Sequence, residues 1–391
     1  MSICLVSKDW NKTNGPGTYA KDLSSELEEK GLDFTLVCPK PKQPIRNKDD
    51  YYPKNAEIIE VSIQSHAPFL YWFFFAFNAS IRIKRIQKKK KFRIIHVVDA
   101  RGYIPNGDVP TIGTVHDSYI ADVSLNPLRL RRFYFDWVTR YLYYNFAKIW
   151  ERLILPRYTA LVFNSHFTKS KICLRYNIPP AKSKVIYPSV AEPLSPSEGI
   201  ENLRSKLGIS DNKVILFIGM NLQRKGLEFL IRAAKEIISE IKTKFIIIGG
   251  SPIEQQKMYR LCKDLKVEPN FTFLGKIPHS EIFDFYYLSD ILVVPSIVEA
   301  FGRVYLEAMS VGTPVVAGKA GGVSEFIKDR YNGILVTPSN FSEIADSIKY
   351  VLKNTKFRNE LIENGKKTSH KFNTNSMMEK TLRLYENYSK S

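Results

Sequence analysis

Cysteines, long apolar runs and secretory features are scarce in this chain of 391 residues. Four scattered cysteines form no C-x-x-C pair, which favours free thiols in a reducing compartment and hence the cytoplasm. The longest apolar run, APFLYWFFFAF at 67–77, falls well short of the roughly 20 residues of a spanning helix. No secretory signal is visible at the N-terminus. We therefore expect a soluble or membrane-surface protein.

Acidic residues are also few compared with basic ones. Lys and Arg total 58 and Asp and Glu total 39, which gives a net charge of +19. Such an excess indicates a nucleic acid, an anionic membrane or a phosphate-bearing molecule as partner. Residues 61–98 contain no acidic side chain. The basic residues in this range are Arg82, Lys84, Arg85, Lys88, Lys89, Lys90, Lys91 and Arg93.

A second basic stretch, residues 125–158, mixes many aromatic side chains with basic residues. Aromatic residues beside cations are typical of a membrane-interface surface. The alternative is a buried core helix with a solvated basic face. No nucleic-acid-binding signature accompanies the charge, so we expect an anionic membrane surface, and no nucleic acid, as partner.

Short apolar runs alternate with helical patterns along the chain, which is typical of βα units around a parallel sheet. In the first half the predicted strands are 3–7, 34–38, 94–98, 111–116, 160–165 and 184–188. In the second half they are 214–219, 244–250, 271–275, 291–296 and 314–318. The sequence therefore predicts an α/β protein with two doubly wound, Rossmann-like domains.

The domain boundaries follow from a change in composition between the two halves. Residues 191–210 are rich in Pro, Ser and Glu and are predicted to be a linker. This places an N-terminal domain at 1–190 and a C-terminal domain at 211–370, with a helix at 371–391 that could return to the N-terminal domain. Because ligands bind outside the carboxyl ends of parallel strands, we expect the site in a crevice between the domains.

Two motifs of the second half follow predicted strands. Arg224 and Lys225 precede a helix, an arrangement that suits an anion at the helix N-terminus; the alternative is a solvated basic loop. Glu299 and Glu307 flank Gly302 at the start of another helix, and carboxylates accept hydrogen bonds from vicinal hydroxyls. Here the alternative is that Glu299 caps the helix while Glu307 lies on its surface.

The first half offers weaker signals. Gly15 and Gly17, in NGPG after the first strand, permit close approach of a phosphate, although the full dinucleotide fingerprint is missing. His116 ends the strand TIGTVH, where it could exchange a proton or a hydrogen bond with a ligand. A structural role for this histidine is the alternative.

Together these motifs carry a resemblance. The sequence resembles the retaining, nucleotide-sugar-dependent glycosyltransferases of the GT4, or group 1, type, which have the GT-B fold. The motifs that carry it are E-A-F-G-R-V-Y-L-E at 299–307, G-x-P-V-V at 312–316 with Gly321-Gly322, R-K-G at 224–226, His116-Asp117 and NGPG at 14–17. The resemblance covers essentially the whole chain and is densest between residues 214 and 337.

The resemblance implies a role for each matching position. The residues expected to face the donor diphosphate are Arg224, Lys225, Ala300, Phe301, Gly302 and Val304, the last four around a helix start. Glu307 would hold the ribose hydroxyls and Glu299 those of the transferred sugar. Ile277 stands where the family reads the base through backbone groups.

The resemblance also implies roles for residues of the first half and for the catalytic residues. Gly15 and Gly17 would line the phosphate side of the first domain, and His116 would lie near the sugar and the acceptor. The resemblance thus implies His116, Glu299 and Lys225 as catalytic residues. The acceptor expected from the basic, aromatic first domain is a lipid-linked or cell-surface glycan on the cytoplasmic face of the membrane.

The chemistry fits a metal-free site. Breaking the bond to the anomeric carbon builds negative charge on the leaving diphosphate, which cations and a helix N-terminus stabilise. No Asp-x-Asp pair is present, so neither a metal nor a cofactor beyond the nucleotide sugar is expected. The resemblance implies retention by front-face attack. Two departures are Met220, where many relatives carry arginine, and Arg303, where an apolar residue is common.

Other functions remain open from the sequence. One is a different GT-B nucleotide-sugar enzyme that acts on a soluble acceptor, and another is a basic nucleic-acid-binding protein. A glycan phosphorylase would need a pyridoxal-binding lysine site, which nothing marks. An inactive transferase is disfavoured by the intact Glu299, Glu307 and Lys225.

Overall fold

The computed structural model describes residues 2–10, 15–41, 45, 51–63, 70–117, 137–190, 199–209 and 211–389. The chain divides into two compact units. The first unit comprises Met1–Ser189 together with Thr374–Ser391, and the second comprises Val190–Asn373.

The described strands of the first unit form one parallel sheet in the order β3-β2-β1-β4-β5-β6-β7. Their bounds are Ile3–Val6 (β1), Phe34–Pro39 (β2), Ala56–Val61 (β3), Ile94–Val97 (β4), Thr111–Val115 (β5), Ala160–Phe163 (β6) and Ser183–Val185 (β7). The central strands are buried along their whole length, since helices cover both faces of the sheet. The strand order reverses between β1 and β4, and this switch point is where such sheets bind ligands.

Helices of the first unit supply its two core layers. In the described part of the first 189 residues they are Gly15–Glu29 (α1), Tyr71–Gln87 (α2), Trp137–Ile154 (α3) and His166–Tyr176 (α4). Rings of α2 and α3 pack against each other, with Trp72 and Trp150 5.6 Å apart between centroids. Leu23 of α1 belongs to the core on the opposite face.

The second unit repeats the architecture. Its described strands lie in the parallel order β10-β9-β8-β11-β12-β13. Their bounds are Lys213–Ile218 (β8), Thr243–Ile248 (β9), Phe271–Gly275 (β10), Ile291–Val294 (β11), Val315–Gly318 (β12) and Ile334–Val336 (β13). The helices are Ile200–Lys206 (α5), Leu227–Ile238 (α6), Pro252–Asp264 (α7), His279–Leu288 (α8), Arg303–Val311 (α9), Phe341–Lys353 (α10) and Thr355–Ser369 (α11). Here the switch point lies between β8 and β11.

A C-terminal helix, Thr374–Ser389 (α12), belongs to the first unit although it follows the second in sequence. Its Met378 and Tyr385 join the core beside α1 and β1. The Tyr385 hydroxyl lies 2.5 Å from Nδ1 of the buried His96, whose Nε2 lies 2.8 Å from the Thr114 hydroxyl. Burial lowers the pKa of His96 to about 3, so this imidazole is neutral and serves structure.

The structure differs from the sequence prediction in several places. The strands β3 and β13 were not predicted, because AEIIEV alternates acidic with apolar residues at a sheet edge and β13 has three residues. The strand β5 ends at Val115, one residue earlier than predicted, which leaves His116 in a loop. The strand β6 also ends earlier than predicted, at Phe163. Part of the predicted linker forms α5 within the second unit, and residues 191–198 lie outside the described ranges.

None of the described helices combines the length and the apolar character needed to cross a membrane. The apolar run at 67–77 enters α2 at Tyr71, and its first three residues are not described.

Candidate functional site

The start of α9 is fixed by a glycine that no other residue can replace without strain. Gly302 has φ 98° and precedes the helix. A Cβ at this position would lie 2.7 Å from ring carbons of Tyr305. Tyr305 donates from its hydroxyl to the Val294 carbonyl over 2.7 Å, which ties the helix to the end of β11. The N-terminus of α9 therefore follows the carboxyl end of β11, and Tyr305 donates its N–H to the Gly302 carbonyl over 3.2 Å.

A second close approach brings the loop after β8 onto the loop after β11. Gly226 has φ 78°, and a Cβ there would lie 2.0 Å from the Pro295 carbonyl oxygen. Ile297 donates its N–H to the Arg224 carbonyl over 2.9 Å. Since β8 and β11 are neighbours at the switch point, the basic loop and the carboxylate loop meet there.

Glu299 and Lys225 form a buried ion pair across these two loops. Lys225 donates to Glu299 Oε2, and the Ser296 hydroxyl donates to the same oxygen over 3.3 Å. The residues are 7% and 9% exposed, respectively, so Lys225 does not belong to a solvated loop. Burial favours the neutral carboxyl, but Lys225 and Arg224 outweigh burial and lower the pKa of Glu299. The N-cap position of α9 is Gly302, three residues after Glu299, and the Glu299 carboxylate pairs with Lys225.

Glu307, one turn further into α9, lies in a different environment. Glu307 is 4% exposed, so the alternative that it lies on the helix surface is wrong. Tyr286 donates to Oε2 over 2.9 Å, and Nε2 of His279 lies 3.3 Å from Oε1. Nε of Arg303 lies 3.6 Å from Oε1. Burial raises the pKa of Glu307, but His279, Arg303 and Tyr286 outweigh burial, and the pKa lies below its ordinary value.

Phe301 lies between the two carboxylates with its side chain turned away from solvent. The Phe301 side chain is 2% exposed and its ring packs against Phe326 and Phe372, at 5.1 and 5.8 Å between centroids. Phe301 can therefore offer only its backbone to a ligand, as its neighbours Ala300, Gly302 and Val304 are expected to do. The adjacent turn is tied to this loop, since Gly322 donates its N–H to the Glu299 carbonyl over 3.1 Å.

Ile277, expected near the base of the donor, and Met220, a departure from the family pattern, are more exposed than Glu299 and Glu307. Ile277 is partly buried in the loop between β10 and α8, two residues before His279. Met220, directly after the end of β8, is 43% exposed.

In the first unit His116 lies in the loop after β5. Its Nε2 lies 2.7 Å from the Val98 carbonyl, which can only accept, so Nε2 carries the proton. The Tyr19 ring meets the imidazole edge-on at 5.2 Å between centroids. Burial lowers the pKa of His116 in spite of the nearby Asp99, so the ring is neutral at pH 7 and Nδ1 is an acceptor.

Gly15 begins α1, and a Cβ on it would meet nothing within 4 Å. Within the part of the chain that the structure describes, no packing contact requires a glycine at this position. Gly17 is buried in the first turn of the same helix.

A buried ionic network that the sequence analysis did not identify surrounds the switch point of the first unit. Arg101 donates from Nε and Nη2 to the two oxygens of Asp99, each over 3.0 Å. The same guanidinium lies 3.5 Å from Asp117 and 3.9 Å from Glu151, and Lys8 lies 3.1 Å from Asp99. These charged residues are scattered over the first half of the sequence, so no local motif predicts the network.

The comparisons with known proteins cover both units. The model of Glycosyltransferase Family 4 matches residues 13–192, and that of Glycosyl transferases group 1 matches residues 199–368. An uncharacterised glycosyltransferase of Methanocaldococcus jannaschii is 36% identical over 225 residues, which is 56% of this chain and 57% of the relative. The chain spans about half the length of the curated relatives it matches, from 48% to 57% for the first three.

Solved structures share the whole fold. Sucrose-phosphate synthase of Thermosynechococcus elongatus has a TM-score of 0.77 at 20% identity, over 99% of this chain and 98% of that chain. The Anabaena protein HepE, solved with UDP and glucose, has a TM-score of 0.75 at 18% identity, over 99% and 100% of the two chains. The predicted α/β GT-B fold and the resemblance to GT4-type glycosyltransferases are confirmed.

We predict that Lys225→Met destabilises the second unit strongly. The substitution leaves the buried Glu299 carboxylate without its cation, which typically costs about 3–5 kcal/mol of unfolding free energy. Urea unfolding at pH 7 measures the change. Lys213→Met is the matched control, because Lys213 pairs with Asp290 over 2.8 Å with its side chain 42% exposed. We expect about 1 kcal/mol or less for the control.

The same pair has a pH signature. Because folding lowers the pKa of Glu299 from 4.5, its stabilisation is complete above that pH and is lost as the pH falls through the folded-state pKa. The gap between the wild type and Lys225→Met should therefore shrink in acid. If Lys225→Met and Lys213→Met lost the same unfolding free energy at pH 7, the result would contradict a buried pair between Lys225 and Glu299.

Proposed function

Because the chain belongs to the GT4-type, or group 1, glycosyltransferases, we propose that it transfers a sugar from a nucleotide diphosphate sugar to a hydroxyl of a lipid-linked or cell-surface glycan. The observation that carries this proposal is the pair of buried, separately partnered carboxylates on either side of the α9 N-terminus. A carboxylate pair of this kind suits the two ends of a nucleotide sugar.

The proposed donor contacts follow from the local chemistry. The N-terminus of α9 and the cations Arg224 and Lys225 stabilise the charge of the leaving diphosphate. Lys225 has three ammonium protons, and one hydrogen bond to Glu299 leaves two for phosphate oxygens. Glu299 then accepts hydroxyls of the transferred sugar, and Glu307 accepts those of the ribose.

The reaction in this proposal needs no metal and no cofactor. The leaving diphosphate acts as the base, and the acceptor hydroxyl attacks from the same face of the sugar, so the anomeric configuration is retained. The solved neighbour HepE holds UDP and glucose, which supports a nucleotide sugar as donor class.

We assign acceptor binding to the first unit. His116 offers a neutral imidazole with Nδ1 as acceptor, which suits a sugar hydroxyl. Asp117, with a side chain 31% exposed and its carboxylate near Arg101, offers a second acceptor beside it. Both follow β5 on the carboxyl edge of the sheet, where ligands of such folds bind.

The surface of α2 and α3 supports a membrane-borne acceptor. Trp72 and Phe75 turn into the core, so part of the aromatic run is structural, as the alternative interpretation held. Other apolar side chains remain exposed, namely Phe77, Ile81, Leu142, Ile149 and Leu153. Exposed basic residues continue along α2 and past its end, including Arg82, Lys84, Arg85, Lys88 and Lys89. Exposed apolar side chains with neighbouring cations suit an anionic lipid surface, and we place the enzyme on the cytoplasmic face.

A donor panel tests the proposed activity. We expect one class among UDP-, GDP- and ADP-sugars to raise the melting temperature of the wild type, because a ligand that binds only the folded state stabilises it. Glu307→Ala should abolish the shift. The matched control Glu228→Ala removes a carboxylate that is 40% exposed on α6 and should keep it. Absence of a shift with every donor would count against the proposal.

Vesicle flotation tests the membrane surface. The wild type should float with phosphatidylcholine vesicles that contain phosphatidylglycerol, at physiological salt, and not with phosphatidylcholine alone. Replacing Leu142, Ile149 and Leu153 together by serine should release it, because this removes exposed apolar side chains from α3. Leu174→Ser is the control, since Leu174 is 86% exposed on α4. A wild type that stays off anionic vesicles would refute the membrane assignment.

A further inference from the structure

We propose that Arg303 is a positioning residue for donor binding, which holds the Glu307 carboxylate in the orientation that accepts the donor ribose. The inference rests on the proposed function, because it takes Glu307 as the ribose-binding carboxylate. It gives a role to a residue that stands where an apolar side chain is common in the family.

Three side chains surround the Glu307 carboxylate from two helices. Arg303, on α9 itself, lies with Nε 3.6 Å from Oε1. His279 and Tyr286, both on α8, contact Oε1 at 3.3 Å and Oε2 at 2.9 Å. The distance from Arg303 is that of an ion pair rather than of a hydrogen bond. Arg303 thus supplies charge, while His279 and Tyr286 supply direction.

Helix stability alone does not account for Arg303. A cation in the first turn opposes the helix dipole. An arginine placed four residues before a glutamate is also the less stabilising order for such a pair. The side chains of Arg303 and Glu307 are 13% and 5% exposed, so the pair carries a desolvation cost as well.

A second Arg–Glu pair of the same unit shows the contrast. On α6, Glu228 precedes Arg232 by four residues, the favourable order, and both side chains are at least 40% exposed. That pair has the features of an ordinary surface interaction. The pair on α9 has the opposite order and its side chains are much less exposed, at the position where the proposed function needs an ionised carboxylate.

The Glu307 carboxylate keeps acceptor positions for a ligand. A carboxylate has about four acceptor positions, and the hydrogen bonds from His279 and Tyr286 use two of them. Two positions remain for vicinal hydroxyls. Because Arg303 attracts the carboxylate without a short hydrogen bond, it favours the ionised form and leaves these acceptor positions available.

The test compares donor kinetics of Arg303→Met with those of the wild type, using the nucleotide sugar that stabilises the wild type. We expect the KM for the donor to rise about tenfold, or about 1.4 kcal/mol, with kcat within about threefold. Arg303→Lys should recover most of the loss because it restores the charge. Arg232→Met, which breaks the surface pair, should leave both constants unchanged.

The pH profile separates positioning from a general effect on folding. Among the described residues, His279, Tyr286 and Arg303 are the titratable or charged groups that face Glu307. Without Arg303 the acid limb of kcat/KM should move to higher pH, since protonation of Glu307 becomes easier. If Arg303→Met does not fold, Arg303→Gln replaces it in the comparison with Arg303→Lys. An unchanged KM and acid limb would overturn the inference, whereas a wild type that binds no nucleotide sugar would overturn the proposed function.

Discussion

The candidate site depends on one buried ion pair, between Lys225 and Glu299, that joins the loops after β8 and β11. Burying both charges costs several kcal/mol, and the pair is tolerable only with good geometry and further hydrogen bonds. Ser296 supplies one of these, and Gly226 lets the two loops approach. The strand order of the second unit sets the pair at the switch point of the sheet. A cation and a carboxylate thus stand beside a helix N-terminus before any ligand arrives.

The two carboxylates of the motif have unequal partners. Glu299 is paired with a lysine that keeps two further donors, so cation and carboxylate can engage different parts of one ligand. Glu307 is held by an arginine, a histidine and a tyrosine, which are different residues from the lysine that pairs with Glu299. The folded state lowers both pKa values, so both groups are ionised at pH 7. This separation matches a ligand whose sugar and ribose lie on either side of a diphosphate.

The sequence predicted the fold class and the positions of the central strands, because buried parallel strands read as continuous apolar runs. It missed β3 and β13, whose patterns are alternating or too short to stand out. In the site, spacing placed Glu299 and Glu307 near the start of α9 but could not show their partners. His279 and Tyr286 lie 28 and 21 positions before Glu307, so only the packing of α8 on α9 brings them together. The network around Arg101 could not be predicted from the sequence for the same reason.

A crystal structure of the protein with the nucleoside diphosphate of its preferred donor tests the central claim most directly. The account predicts that the diphosphate lies against the N-terminus of α9 within hydrogen-bond distance of Lys225, with the ribose hydroxyls on Glu307. A diphosphate bound elsewhere, or a ribose that leaves Glu307 without contact, would contradict it.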